Sequence, residues 1–153
     1  MDKENLKFYY ETEQEDAKLI YTTGFLWGKI NAKLDEILAP AGLNLSKFNI
    51  LMIIKHVGKT EGIQQNEISH RLLVTASNIT KLLDKLEKDG LIIRTSKEGD
   101  RRVKLIKITS DGSKLLDKIW TKYTKTVKKI MNGIAPADAD YVNKVLLDWL
   151  GKI

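Results

Sequence analysis

Apolar residues recur along this chain at steps of three and four, the spacing that lines one face of an α-helix. From about Glu13 to Ala39 the stripe is Ile20, Gly24, Trp27, Ile30, Leu34, Ile37 and Leu38, a long helix ended by Pro40-Ala41-Gly42. A second helix, with Ser46 as its expected N-cap, carries Phe48, Ile50, Leu51, Ile53, Ile54 and Val57. That run leaves little polar surface, so it is expected at the centre of the core. Gly58 to Gly62 reads as a loop. Ile68 and Leu72, four apart, then mark a short helix, with Leu73-Val74 as the turn out of it. The next helix has Ile79, Leu82, Leu83 and Leu86 at i, i+3, i+4 and i+7. Asp89-Gly90 stops it, because glycine takes the left-handed conformation a helix C-terminus needs.

There the period changes. Leu91 to Thr95 and Val103 to Ile108 are β-prone runs on either side of the polar, glycine-containing Ser96 to Arg102, which predicts a hairpin. The alternation fails between Leu105 and Ile106, so a bulge or a shifted register is expected there. Two tightly joined helices followed by a hairpin make a winged helix-turn-helix. Thr109-Ser110-Asp111-Gly112 supplies a capping side chain for a long helix striped by Leu116, Ile119, Trp120, Tyr123, Val127, Ile130, Met131 and Ile134. Ala135-Pro136 breaks it and opens a last helix with Val142, Val145, Leu146, Trp149, Leu150 and Ile153 on its apolar side. The fold class is therefore mainly α with a small β-hairpin. Its expected divisions are an N-terminal arm and helix at 1–44, a winged helix at 45–109 and C-terminal helices at 110–153. Both outer segments keep apolar stripes that the winged helix does not need. Either they cover each other within one chain, or a second subunit covers them.

Charge sharpens this picture. The 153 residues hold 26 Lys plus Arg against 20 Asp plus Glu, a net +6 that favours a polyanionic partner. Residues 1–16 have two lysines against six carboxylates, −4 in all, which leaves +10 on residues 17–153. All four arginines, Arg71, Arg94, Arg101 and Arg102, fall in the winged helix. Arginine's planar fork binds phosphates and base edges bidentately. The absence of cysteine excludes disulfides, thiolate metal sites and cysteine nucleophiles. No stretch approaches the roughly 20 apolar residues of a membrane span, and the acidic N-terminus has no signal-peptide pattern, so a cytoplasmic location is expected.

Catalysis finds no support. His56 and His70 are the two histidines, both set in helices, and Glu11, Glu13, Glu15 and Asp16 have nothing to desolvate them. There is no phosphate-binding glycine loop and no nucleophile triad. The sequence calls for no enzyme, no cofactor and no metal.

The second helix of the helix-turn-helix shows a different chemistry on its outer face: Thr75, Ser77, Asn78, Thr80, Lys81, Lys85 and Lys88, with Asp84 among them. Short hydrogen-bonding side chains followed by lysines suit a helix docked in a major groove. Asn78 matches an adenine edge, whereas Thr75 divides evenly between base contact and helix cap. Thr80, Lys81 and Lys85 meet bases or phosphates, or form a solvated face. In the wing, Lys97, Arg101 and Arg102 are placed to reach backbone or minor groove, with Arg102 foremost. Gln64, Gln65 and Asn66 either offer helix amides to a phosphate or belong to a plain loop.

Leu82-Leu83-Asp84-Lys85-Leu86-Glu87-Lys88-Asp89-Gly90-Leu91-Ile92-Ile93-Arg94, then Asp100-Arg101-Arg102, then Ile106-Lys107-Ile108-Thr109-Ser110-Asp111-Gly112 together resemble the multiple antibiotic resistance regulator (MarR) family of winged-helix transcription factors. The resemblance implies a homodimer whose N- and C-terminal helices interlock, binding a near-palindromic double-stranded operator, usually as a repressor. It also implies that the wing aspartate, Asp100, orients Arg101, Arg102 or Arg94, with Arg94 a buttress rather than a direct contact. Members often respond to small aromatic, commonly phenolic, anions held between the dimer helices and the winged helix. Tyr21, Phe25, Trp27, Phe48 and His56 lie in segments that would line such a space, or else they are core. One branch of the family senses oxidation through cysteine, which this chain lacks. Here the wing is short and its motif a bare Asp-Arg-Arg. The alternative function is a winged helix used for protein contact or for nonspecific architectural DNA binding. Protein contact predicts an outer face that is not basic, and this one is basic.

Overall fold

The computed structural model of the chain describes residues 15–72, 76–97 and 99–153. Helix α1 spans Glu15–Leu38 and closes through a 3-10 turn at Ala39–Ala41. Helix α2, Leu45–Ile53, widens at its end into a π turn, Ile54–Gly58. A two-residue strand β1, Ile63–Gln64, leads into α3, Gln65–Leu72, and α4, Ala76–Lys88. The wing is β2, Ile92–Lys97, and β3, Asp100–Ile108; two helices follow, α5, Ser110–Met131, and α6, Pro136–Leu150. The expected helix start at Glu13, the Leu73-Val74 turn and Thr75 lie outside the described residues.

Three local expectations are corrected. The cap of α2 is Asn44, not Ser46: Asn44 is extended and its side chain accepts from the Lys47 amide at 2.9 Å, so the helix begins one residue after it. Gln64 is neither a helix start nor plain loop, because it pairs with Leu105 in β1 and makes the hairpin a three-stranded antiparallel sheet of order β1-β3-β2. No irregularity falls between Leu105 and Ile106, which pair in step with Thr95 and Arg94; it lies between Ser96 and Lys97. The adjacent apolar pair needs no bulge. Ile106 enters the core and Leu105 sits half-buried on the opposite face of the strand.

The core gathers around α2. Phe48, Ile50, Leu51 and Ile54 meet Leu38 of α1, Ile68 of α3, Ile79, Leu83 and Leu86 of α4, Ile92 and Ile106 of the sheet, and Leu116 and Ile119 of α5. Each such side chain contributes about 1.5–3 kcal/mol through burial. The apolar face of α4 is thereby fixed inward, and its polar face must point out.

The start of α5 is joined closely to the end of α4. Gly90 takes φ 71, and Thr109 Oγ1 donates to the Gly90 carbonyl at 2.8 Å while accepting from the Gly112 amide at 3.0 Å. A Cβ on Gly112 would fall 2.3 Å from the Leu91 carbonyl oxygen, so only glycine fits.

The outer helices are less covered. In α1, Leu34 and Leu38 are buried, but Leu19, Ile20, Leu26 and Trp27 are exposed, Trp27 at 58 %. No residue of α6 is buried, and Tyr141 is 70 % exposed. Among the described residues no single helix is long and apolar enough to cross a membrane.

Candidate nucleic-acid interface

Helix α4 is held from three sides. At its N-terminal half, Gln65 Nε2 of α3 donates to Thr80 Oγ1 at 2.8 Å. Past its C-terminus, Asp89 accepts from Lys47 Nζ at 3.1 Å; Lys47, only 8 % exposed, also donates to the Gly42 carbonyl. Along its flank, Arg94 of β2 donates through Nη2 to Asp84 Oδ1 at 2.7 Å and through Nη1 to Glu87 Oε2, while the Arg94 amide donates to Glu87 Oε1 at 3.2 Å. Partial burial opposes the guanidinium's charge, but the hydrogen bonds and attraction of Asp84 and Glu87 outweigh it and raise the Arg94 pKa above its ordinary value.

What α4 leaves in solvent is a polar, cationic surface. Asn78, Thr80, Lys81, Lys85 and Lys88 are all exposed, on the side away from Ile79, Leu83 and Leu86. Ser77 is placed on α4 and Arg101 on β3 by their backbones. The expected loop is shorter than the sequence suggests, because strand pairing continues to Lys97 and Asp100. Between that pair and the next, Ser96 with Lys104, β3 carries Arg101, Arg102 and Val103 with no residue opposite. This extra length bulges the strand where the arginines sit. The Asp100 carboxylate accepts from the Arg102 amide at 2.9 Å, and the Arg102 side chain is exposed, as is Lys97. Of the partners considered for Asp100, it meets Arg102, through the backbone amide; Arg94 turns instead to α4. Gln65 and Asn66 begin α3, and Gln65 spends its side chain on Thr80.

The Asp84–Arg94–Glu87 cluster is not among the contacts expected from the sequence. Its signal was present: two carboxylates at i and i+3 on one helix, and an arginine seven residues beyond the second.

The aromatic candidates for an effector site are dispersed. Phe48, 1 % exposed, packs its ring 4.6 Å from that of Tyr123 in the core. Tyr21 and Phe25 lie on the N-terminal half of α1, and Trp27 just past its middle. His56, on the π turn, lines a cavity of about 190 Å³ with Met52, Lys55, Leu116, Asp117 and Trp120. Lys55 and Asp117 pair across it at 2.6 Å, and Trp120 stacks on Tyr123.

A helix presenting hydrogen-bonding and cationic side chains beside an arginine-bearing wing is a surface for a duplex. Residues 43–104 match the family model described as MarR family. The winged helix belongs to the MarR family. Among its relatives is the transcriptional repressor YetL of Bacillus subtilis, 26% identical over 150 residues, covering 98% of this chain and 89% of that protein. The crystal structure of a mutant of E. coli MarR complexed with operator DNA is similar at a TM-score of 0.83, with 20% identity, covering 92% of this chain and 99% of that one. CouR of Rhodococcus jostii bound to p-coumaroyl-CoA is similar at a TM-score of 0.70, with 26% identity, covering 87% and 90%. The MarR family is one of transcriptional regulators, not enzymes.

Proposed function

We propose that this MarR-type regulator binds a near-palindromic double-stranded operator as a homodimer, represses transcription in the cytoplasm, and is released by a small aromatic effector. One observation carries the DNA reading: α4 is held by Gln65, Lys47 and Arg94 so that Asn78, Lys81, Lys85 and Lys88 stand in solvent on its polar face, while Arg94 ties that helix to the wing, whose Arg102 is also exposed. In this reading Thr75, Ser77, Asn78 and Thr80 approach base edges, Lys81 and Lys85 meet bases or phosphates, and Lys97, Arg101 and Arg102 serve the wing. Arg94 and Asp100 orient that wing, one against α4 and the other through the Arg102 amide.

The exposed apolar side chains of α1 and α6 support the homodimer, since large hydrophobic residues clustered on one element in solvent mark an association surface. Residues 1–44 and 110–153 then act as dimerisation segments around the DNA-binding 45–109. A two-fold dimer sets its recognition helices roughly 10 base pairs apart, which is the reason for a near-palindrome. The repressor role is drawn from the likeness to the repressor YetL, and the effector from the complex of CouR with p-coumaroyl-CoA. The cavity at His56 and Trp120 lies between the winged helix and α5, where an occupant would bear on both.

The test is a selection from random duplex DNA at moderate salt, with light scattering on the same preparation. A dimer enriching a palindrome supports the reading. A dimer that enriches nothing and loses all binding as salt rises points to a protein-contact or architectural role. Titration of the operator complex with phenolic acids tests release; binding of such acids with no change in operator affinity removes the effector from the proposal.

A further inference from the structure

Asp84 stands out on the basic face of α4. Lys81, Asp84 and Lys88 follow one another at i, i+3 and i+7, a stripe opposite Ile79, Leu83 and Leu86. A bare carboxylate there would repel phosphates, yet Arg94 lies against it and offsets part of its charge, shared as that guanidinium is with Glu87. The anchoring of β2 to α4 does not require Asp84, because Glu87 already holds Arg94 twice, through the backbone amide and through Nη1. Asp84 is also the more exposed of the two, its side chain 58 % accessible against 38 % for Glu87. Arg94 engages Oδ1, and among the described residues Oδ2 has no partner.

Resting on the DNA-binding reading above, we propose that Asp84 is a base-reading residue: its Oδ2 accepts from the exocyclic amino group of a cytosine in the major groove, and Arg94 is the positioning residue that holds Oδ1. A carboxylate can only accept, so guanine, with N7 and O6 acceptors, and thymine, with O4, are refused. Adenine offers a donor beside its N7 acceptor, which repels the carboxylate, whereas cytosine presents its amino group alone. Arg94, with Lys81 and Lys88 on the same stripe, reduces the electrostatic penalty of bringing an anion between two phosphate strands, and it fixes the direction of the remaining lone pairs.

The experiment repeats the duplex selection with the wild-type protein, Asp84→Asn and Asp84→Ala, each checked for fold by circular dichroism. The wild type is expected to select one cytosine per half-site whose replacement lowers affinity about 5- to 150-fold. Asp84→Asn is expected to shift that position alone towards adenine, which asparagine pairs bidentately, and Asp84→Ala to lose preference there alone. If both variants select the wild-type motif unchanged, Asp84 is only an ion-pair partner of Arg94 and the proposal is overturned while the operator reading stands. A wild-type protein that selects no motif overturns both. Should the variants not fold, the wild-type protein is titrated against operators in which each cytosine in turn lacks its amino group. Loss at one position supports the assignment, and insensitivity at every position overturns it.

Discussion

At the wing, Asp100 secures backbone and leaves a side chain free: its carboxylate accepts from the Arg102 amide, and the Arg102 guanidinium stays in solvent on a bulged stretch of β3. In the proposed function this pre-orders the loop before DNA arrives, so Arg102 loses little conformational freedom on binding. Arg102→Ala is expected to weaken operator binding by about 1–3 kcal/mol if the residue reads a base, with the thermal midpoint unchanged because nothing in the core is touched. Fluorescence anisotropy at fixed salt measures this, and an unchanged affinity removes Arg102 from the interface. Lys85 calls for a different signature. An exposed ammonium on a flexible stem is a point charge suited to phosphate, so Lys85→Ala should weaken all sequences alike and reduce the slope of log affinity against log salt by about one. A loss confined to one base position would assign Lys85 to readout instead.

At the scale of elements, the helices were legible because each carries its own period, and α4 above all, with Ile79, Leu83 and Leu86 buried as the spacing requires. What escaped the sequence was set by partners distant along the chain. Strand β1 has two residues and exists because Ile63 and Gln64 meet Ile106 and Leu105, more than forty positions away; no local pattern encodes that. The cap of α2 was misplaced by two residues because Asn44 and Ser46 are both capping types, and the choice fell to the Asp35 carboxylate, which takes the Leu45 amide at 2.7 Å and fixes the helix start. In the candidate site, the outward face of α4 and the arginines of the wing could be read from types and spacing. The Arg94 triad was signalled only in part: the carboxylates at i and i+3 of α4 are local, but nothing local tells which of them a strand arginine reaches. Gly112 joins the two kinds of information: the sequence marks it as part of a helix start, and packing makes it obligatory against the Leu91 carbonyl. Gly112→Ala is therefore expected to destabilise the fold by about 1–3 kcal/mol through overpacking, measured as a lowered midpoint in urea with little change in slope. A midpoint equal to that of the parent would mean that the junction of α5 with β2 yields freely.

For the whole molecule, the division between a packed winged helix and open outer helices decides what a single chain can do. The winged helix has its core without α6, which buries none of its own side chains, whereas Val142, Val145, Leu146, Leu147 and Leu150 remain in solvent. If a second copy covers them, operator affinity depends on a surface that touches no DNA. Linking two half-site contacts raises overall avidity by about 10²- to 10⁴-fold over one, and covering the apolar face makes apparent stability rise with protein concentration. The double variant Val145→Glu with Leu146→Glu puts two charges into that face without touching the core. It is expected to run as a monomer in light scattering, to keep the circular dichroism of the parent winged helix, and to lose affinity for the full operator within that range while binding an isolated half-site as before. A variant that stays dimeric would place the partner elsewhere, on α1. A monomer that still binds the full operator as tightly as the parent would show that one winged helix supplies the whole affinity, and the palindrome would then lose its physical reason.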